Sequence, residues 1–210
     1  MRVLIGTTNP AKVNRFAELL KGNDMEFLTL AELKIEDEPE ENGNNPEENA
    51  RIKAAFYGQY FDRVICNDSG LYFDMLPLDD IRQPGLHVRT PQGGRRLDDA
   101  EMIRYYTRLV HSLGGKVLAY YLDGIAVYNK GKVYSFMDEE AARRAAFYMV
   151  DQPVETWKEG WPLDSMSIDC HDRRYFSQKD NSEAALIEEN IITGAYQKRL
   201  TAFLRDALES

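Results

Sequence analysis

The chain has 210 residues, 43% hydrophobic and 29% charged, a balance near that of globular domains, which excludes a disordered tail, a fibre or a disulfide-held miniature. Its 35 acidic against 26 basic residues leave a net charge of −9, which repels nucleic-acid backbones and anionic membranes at long range. No apolar run approaches the roughly 18 residues that span a bilayer, and Val3-Leu4-Ile5 is too short for a leader's apolar core. The expectation is a cytoplasmic protein with neither nucleic acid nor membrane as partner.

Val3-Leu4-Ile5 predicts a buried strand, and Gly6-Thr7-Thr8-Asn9-Pro10 a tight loop with Asn9 as helix cap and Pro10 at the first helical position. Val13, Phe16, Ala17 and Leu20 then recur at helical spacing until Gly22-Asn23-Asp24. Phe27 to Leu30 predicts a second strand, and Glu36 to Glu41 an acidic loop. Asn45-Pro46-Glu47-Glu48 carries the spacing of a capping box and opens a helix to about Phe61. Val64-Ile65-Cys66 predicts a buried strand ending in a polar turn, Asn67-Asp68-Ser69-Gly70.

Asp98, with Glu101 as capping partner, opens a helix that ends at Gly114-Gly115. Val117 to Leu122 and Ile125 to Tyr128 read as strands, and Asn129-Lys130-Gly131-Lys132 as the turn of a hairpin whose return is Val133 to Phe136. Residues 139–150 fit helix by their alanines and strand by their place after a hairpin. A helix is expected over about Ser182 to Leu208. Alternating strands and helices followed by a hairpin predict an α/β fold, with a partly antiparallel, mixed sheet and flanking helices, as a single domain over 1–210. Cys66 and Cys170 read as buried thiols, and the three histidines are too scattered for a zinc site. Arg95-Arg96, with Arg82 and Arg89 upstream, is the only dense basic patch.

Four stretches are candidates for chemistry. Thr7, Thr8, Asn9 and Lys12 sit where a strand runs into a helix N-terminus, where amide N–H groups and the helix dipole favour a phosphate. Asn49 and Lys53, four apart, share a helix face beside that loop. Asp68 stands at the C-terminal end of a buried strand, the edge where ligands bind in open α/β sheets, and with a carboxylate from the acidic loop (Glu40, with Glu41 as fallback) it suits magnesium, which takes few carboxylates plus water and phosphate. In the C-terminal half, Gly160-Trp161-Pro162-Leu163-Asp164 offers an aromatic face on which a purine could stack.

In this order the stretches resemble the inosine triphosphate pyrophosphatase family. Thr7-Thr8-Asn9-x-x-Lys12 is similar to its Thr-Gly-Asn-x-x-Lys loop, and Glu40-Glu41-Asn42-Gly43 with Asn49-Ala50-x-x-Lys53-Ala54 to its next block. Asn67-Asp68-Ser69-Gly70-Leu71-x-x-Asp74 is similar to its Asp-Asp-Ser-Gly-Leu-x-x-Asp signature, and Pro84-Gly85 with Arg89 to the block after it. The C-terminal half departs. The family's Lys and Ser-His-Arg fall near Asn190 and Gly194-Ala195-Tyr196, and the acid after the first-loop Lys is Arg15.

The resemblance implies two lobes about a central cleft in an elongated fold, commonly a homodimer, and magnesium-dependent hydrolysis of a non-standard purine nucleoside triphosphate to monophosphate and pyrophosphate. Asp68, Lys12 and Lys53 would be catalytic. Thr7, Thr8, Asn9, Asn49, Ser69, Arg89, Trp161 and Asp164 would join them in binding the nucleotide, and Glu40, Glu41 and Asp68 would hold the metal. Two alternatives stand beside this: a nucleotide-binding protein without turnover, and a phosphohydrolase for another phosphorylated metabolite.

Overall fold

Continuous apolar runs, covered on both faces, set the centre of the sheet. In the computed structural model, which describes residues 1–22, 24–157, 159–179 and 191–210 apart from the side chains of Ala11 and 191–193, β1 (Arg2–Ile5) buries Val3, Leu4 and Ile5 completely. It lies parallel to β2 (Glu26–Thr29) and to β3 (Arg63–Phe73). The seven-stranded mixed sheet has the order β2-β1-β3-β4-β6-β7, with β5 paired to β4. Here β4 is Lys116–Asn129, β5 Lys132–Met137, β6 Phe147–Val150 and β7 Ser167–Ile168. The helices are α1 (Pro10–Leu19), α2 (Pro46–Tyr57), α3 (Asp99–Ser112), α4 (Glu139–Arg144) and α5 (Ile191–Glu209).

The chain divides into two compact units, and β3 and β4 contribute residues to both. The first holds Met1–Ser69, Asp123–Asp138 and Gly194–Ser210. One face of its sheet, with Val3, Ile5, Ile65, Ile125 and Val127, packs against Phe16 and Leu20 from the α1 segment and Leu200, Leu204 and Leu208 of α5. The other, with Leu4, Val64, Cys66 and Ala126, packs against Ala50, Ala54 and Tyr57 of α2. The second unit, Gly70–Leu122 and Glu139–Thr193, has its own core: Leu71 and Phe73, Met102, Tyr106 and Val110 of α3, and Phe147 and Met149.

Of the predicted caps, those at Asn45 and Asp98 form. The Asn45 side chain accepts from the Glu48 N–H, and Asp98 and Glu101 make a reciprocal capping box. The Glu48 carboxylate turns to the N–H of Asn44 instead, at 2.8 Å. The hairpin is as expected. Lys130 and Gly131 have φ of 46° and 93° between paired Asn129 and Lys132, the two positive values a type I′ turn needs.

Four expectations change. Residues 67–70 are not a turn: β3 runs on to Phe73, because Leu71, Tyr72 and Phe73 are all buried. Each such burial is worth roughly 1.5–3 kcal/mol, more than the turn preference of one polar tetrapeptide. The two strands expected at 117–122 and 125–128 are the single β4, since a glycine and one charge do not break a strand paired on both sides. Residues 139–150 are helix and then strand. And α2 stops at Tyr57, capped by Gly58, before Phe61. Asn23, and 182–190 of the last expected helix, lie outside the described residues. Cys66 is buried and its thiol is pushed up to about 12 by that burial, while Cys170 is half-buried. Among the described residues no helix is long and apolar enough to cross a membrane.

Candidate active site

The alternation of β3 sorts its polar residues. Asp68 follows Val64 and Cys66 onto the α2 face, and Asn67 and Ser69 follow Ile65 onto the face of α1 and α5. On the α2 face, Lys53 sits one turn after Asn49, and both reach Asp68. The Lys53 ammonium lies 3.5 Å from Asp68 Oδ1 and 2.8 Å from Glu41 Oε1. Asn49, 3% exposed, donates to Asp68 Oδ2 at 2.9 Å and accepts from the Gly43 N–H at 2.8 Å. Its amide therefore ties the acidic loop to the strand carboxylate and fixes where Asp68 points. Glu41 is the acid of the loop that reaches this corner; Glu40 is exposed beside it.

Lys12 belongs to the same electrostatic neighbourhood. Burial and then the Lys53 charge hold its ammonium below the ordinary value of 10.5, while Asp68 and Asp123 act in the opposite sense. Burial also works against the charge on Lys53, but Asp68 and Glu41 outweigh it and carry that ammonium above its ordinary value. In the first loop the Asn9 N–H donates to Thr7 Oγ1 at 3.2 Å, and Thr8 is exposed at the loop's tip. Lys53, Asp68 and Glu41 are thus brought together within the first unit, with Asn49 as the orienting group and Lys12 in their electrostatic field.

Two residues of this unit escape the sequence reading. Asp123 of β4 accepts from Ser69 Oγ at 2.7 Å and pairs with Arg15 at 2.7 Å. Tyr196 of α5 lies close enough to Arg15 for each to act on the other's charge. The one signal in the sequence is a lone acid inside the apolar run Leu118 to Tyr128.

The remaining predicted residues lie in the second unit. Arg89 donates to Asp99 at 2.9 Å and to the Gly160 carbonyl at 2.9 Å, and Asp99 accepts the Gly160 N–H at 2.7 Å. Those donors hold the Asp99 carboxyl below its usual range in spite of burial. Arg89 therefore anchors the turn that presents Trp161, which is 54% exposed. Asp164 lies on the short helix Pro162–Ser165 that follows. Asp74 pairs with Arg143. Three of the four arginines of the basic stretch are neutralised locally: Arg82 by Asp80, Arg89 by Asp99 and Arg95 by Glu101.

A HAM1 protein from Coxiella burnetii has the same fold, with a TM-score of 0.72 at 20% identity over 99% of this chain and 100% of that one. A dITP/XTP pyrophosphatase of Thermoanaerobacter pseudethanolicus is 39% identical over 88 residues, 41% of this chain and 42% of that protein. One of Bacillus subtilis is 34% identical over 107 residues, 50% of this chain and 52% of that protein. The chain thus spans about half the length of the curated relatives it matches. The Ham1 family matches residues 3–145, which takes in the first-loop lysine, the acidic loop, α2 and all of β3. The kinship expected from the motifs is borne out: the chain belongs to the Ham1 family.

Proposed function

We propose that the chain hydrolyses a non-standard purine nucleoside triphosphate to the nucleoside monophosphate and pyrophosphate, with magnesium. The observation that carries this reading is the Lys53 ammonium set between Glu41 and Asp68, with Lys12 in the same field. The donor set fits a hard divalent ion: Glu41 and Asp68 offer carboxylate oxygens, with Asn49 fixing one of them. Among the described residues no group of three or more His, Cys, Asp or Glu could hold a metal alone. Magnesium binds through one or two carboxylates and completes its shell with waters and substrate phosphates, so the two acids Glu41 and Asp68 match it. When bound, it would neutralise phosphate oxygens and offset charge that develops in the transition state.

The chain's own residues do the rest. Lys12, with the amides and hydroxyls of Thr7, Thr8 and Asn9, grips the phosphate chain at the α1 N-terminus. Lys53 holds Asp68 and Glu41 apart and adds its own charge. Asp68 orients the attacking water and takes its proton as the bond to the leaving pyrophosphate breaks. In the second unit, Arg89 and Asp99 hold the turn on which Trp161 offers a stacking face, with Asp164 beside it. The homodimer and the cytoplasmic location belong to the same reading.

The test is a magnesium-supplemented panel of inosine, xanthosine and ordinary nucleoside triphosphates assayed for pyrophosphate. Release from the first two is the expected result, and silence across the panel sinks it. A nucleotide-binding protein without turnover is the second reading, favoured by Gly194, Ala195 and Tyr196 where the family carries Ser-His-Arg. It predicts thermal stabilisation by the same nucleotides with no product.

The lysines give the pH dependence its sign. Lys12 titrates below 10.5, so it is the first of the two cations to lose its charge as pH rises, and Lys53 the later one. kcat/KM is expected to fall on the alkaline side as Lys12 deprotonates. Lys12→Arg should move that limb to higher pH, because a guanidinium keeps its proton. A limb that stays in place in Lys12→Arg removes Lys12 from the assignment.

A further inference from the structure

Asp123 is a charge that the apolar pattern of β4 does not call for. Its side chain follows the face of Ile125 and Val127, the face covered by α1 and α5. There it joins two elements directly and faces a third. Oδ1 accepts from Ser69 Oγ of β3, Oδ2 holds Arg15 of α1, and the Tyr196 phenol of α5 lies close enough to act on Arg15. Side-chain exposure is 23% for Asp123 and 36% for Arg15, so the pair is sheltered but still reached by solvent. On the same face of β3, Asn67 is 2% exposed, and neither end of its amide has a hydrogen-bond partner among the described residues. A buried amide left unpaired calls for a bound water or ligand group at that spot. Lys12 lies one helical turn before Arg15, and the charges of Arg15, Asp123, Lys53 and Asp68 all act on it.

An acid beside a polyphosphate site is unfavourable by charge alone, so its presence needs another reason. A guanidinium already fixed by a carboxylate gives up little freedom when an anion arrives, and its planar fork presents further donors. Resting on the reading of this corner as a polyphosphate site, we infer that Asp123 is a positioning residue. It aims Arg15 and the Ser69 hydroxyl, so that Arg15 joins Lys12 and Lys53 as a third cation toward the phosphates. Arg15 thereby supplies from α1 a positive charge beside the α5 segment Gly194-Ala195-Tyr196, which carries none.

Calorimetric titration of the full chain with inorganic tripolyphosphate and magnesium tests this. Asp123→Asn is expected to bind about tenfold more weakly and Asp123→Glu to recover most of the loss. Arg15→Met should bind about tenfold more weakly, and the double variant no worse than Arg15→Met. Charge removal alone predicts the opposite sign, so Asp123→Asn binding as tightly as wild type, or tighter, overturns the inference. Should Asp123→Asn fail to fold, Arg15→Met decides: wild-type affinity there overturns it. Wild-type protein that binds tripolyphosphate while neither variant differs sinks this inference alone. Wild-type protein that does not bind tripolyphosphate sinks the polyphosphate reading with it.

Discussion

Asp68→Asn is expected to lower kcat by about 10³-fold, roughly 4 kcal/mol of transition-state stabilisation, while the protein melts within a few degrees of wild type. The two halves of that result have separate causes. The amide keeps the size of the carboxyl, and its oxygen can still accept from Asn49, so the contact that ties β3 to α2 survives. Lys53 loses a partner at 3.5 Å but keeps Glu41 at 2.8 Å, so no buried cation is left alone, and the heavy cost of breaking a buried pair does not arise. What disappears is a negative oxygen for a divalent ion and a base for the attacking water. Those act most strongly in the transition state, so kcat falls rather than KM rising. Asp74→Asn is the matching control. Its partner Arg143 is 43% exposed and also pairs with Glu139, so stability should stay within about 0.5 kcal/mol and turnover near wild type. A kcat for Asp68→Asn within about tenfold of wild type would remove the carboxylate from the chemistry.

The parts of this site that are legible in the sequence are those set by spacing within one element or across one turn. Asn49 and Lys53 meet Asp68 because a four-residue spacing puts them on one face of α2. Lys12 follows from a strand running into a helix N-terminus, and the two caps from Ser/Thr/Asx chemistry three residues ahead of a glutamate. What stays hidden depends on partners far along the chain. Asp123 meets Arg15 across 108 residues and Ser69 across 54, and Arg89 finds Gly160 across 71. No local pattern encodes such pairings. They follow from strand order, and strand order is a property of the assembled sheet.

The same limit explains the error at 67–70. Asn, Asp, Ser and Gly favour a turn only when nothing beyond them needs burial, and here Leu71 and Phe73 fill the core of the second unit. Residues 139–150 were ambiguous for a different reason. The segment holds a six-residue helix and a four-residue strand, each too short for its periodicity to dominate.

Gly124→Ala is expected to cost about 3 kcal/mol or more, lowering the melting temperature by roughly 6–12 °C in a chain of this length. The reason is where β4 passes the start of α2. A methyl group on Gly124 would lie 2.2 Å from the Glu47 nitrogen and the Pro46 carbonyl carbon, and 2.3 Å from the Pro46 oxygen. All three are backbone atoms, so no side-chain rotation relieves the overlap. Either the strand or the helix N-terminus must move, and Pro46 and the Asn45 cap hold that first turn rigid. Moving α2 also moves Asn49 and Lys53 away from Asp68, so activity should fall further than stability alone would dictate. Gly194→Ala separates this from a general intolerance of added methyls. It lies in helix α5 with nothing within 4 Å of the new group, and should stabilise by about 0.5–1 kcal/mol through helix propensity. Equal melting temperatures for the two variants would mean that α2 does not press on β4 at Gly124. The Asn49 and Lys53 contacts to Asp68 would then lack the fixed support that the proposed chemistry requires.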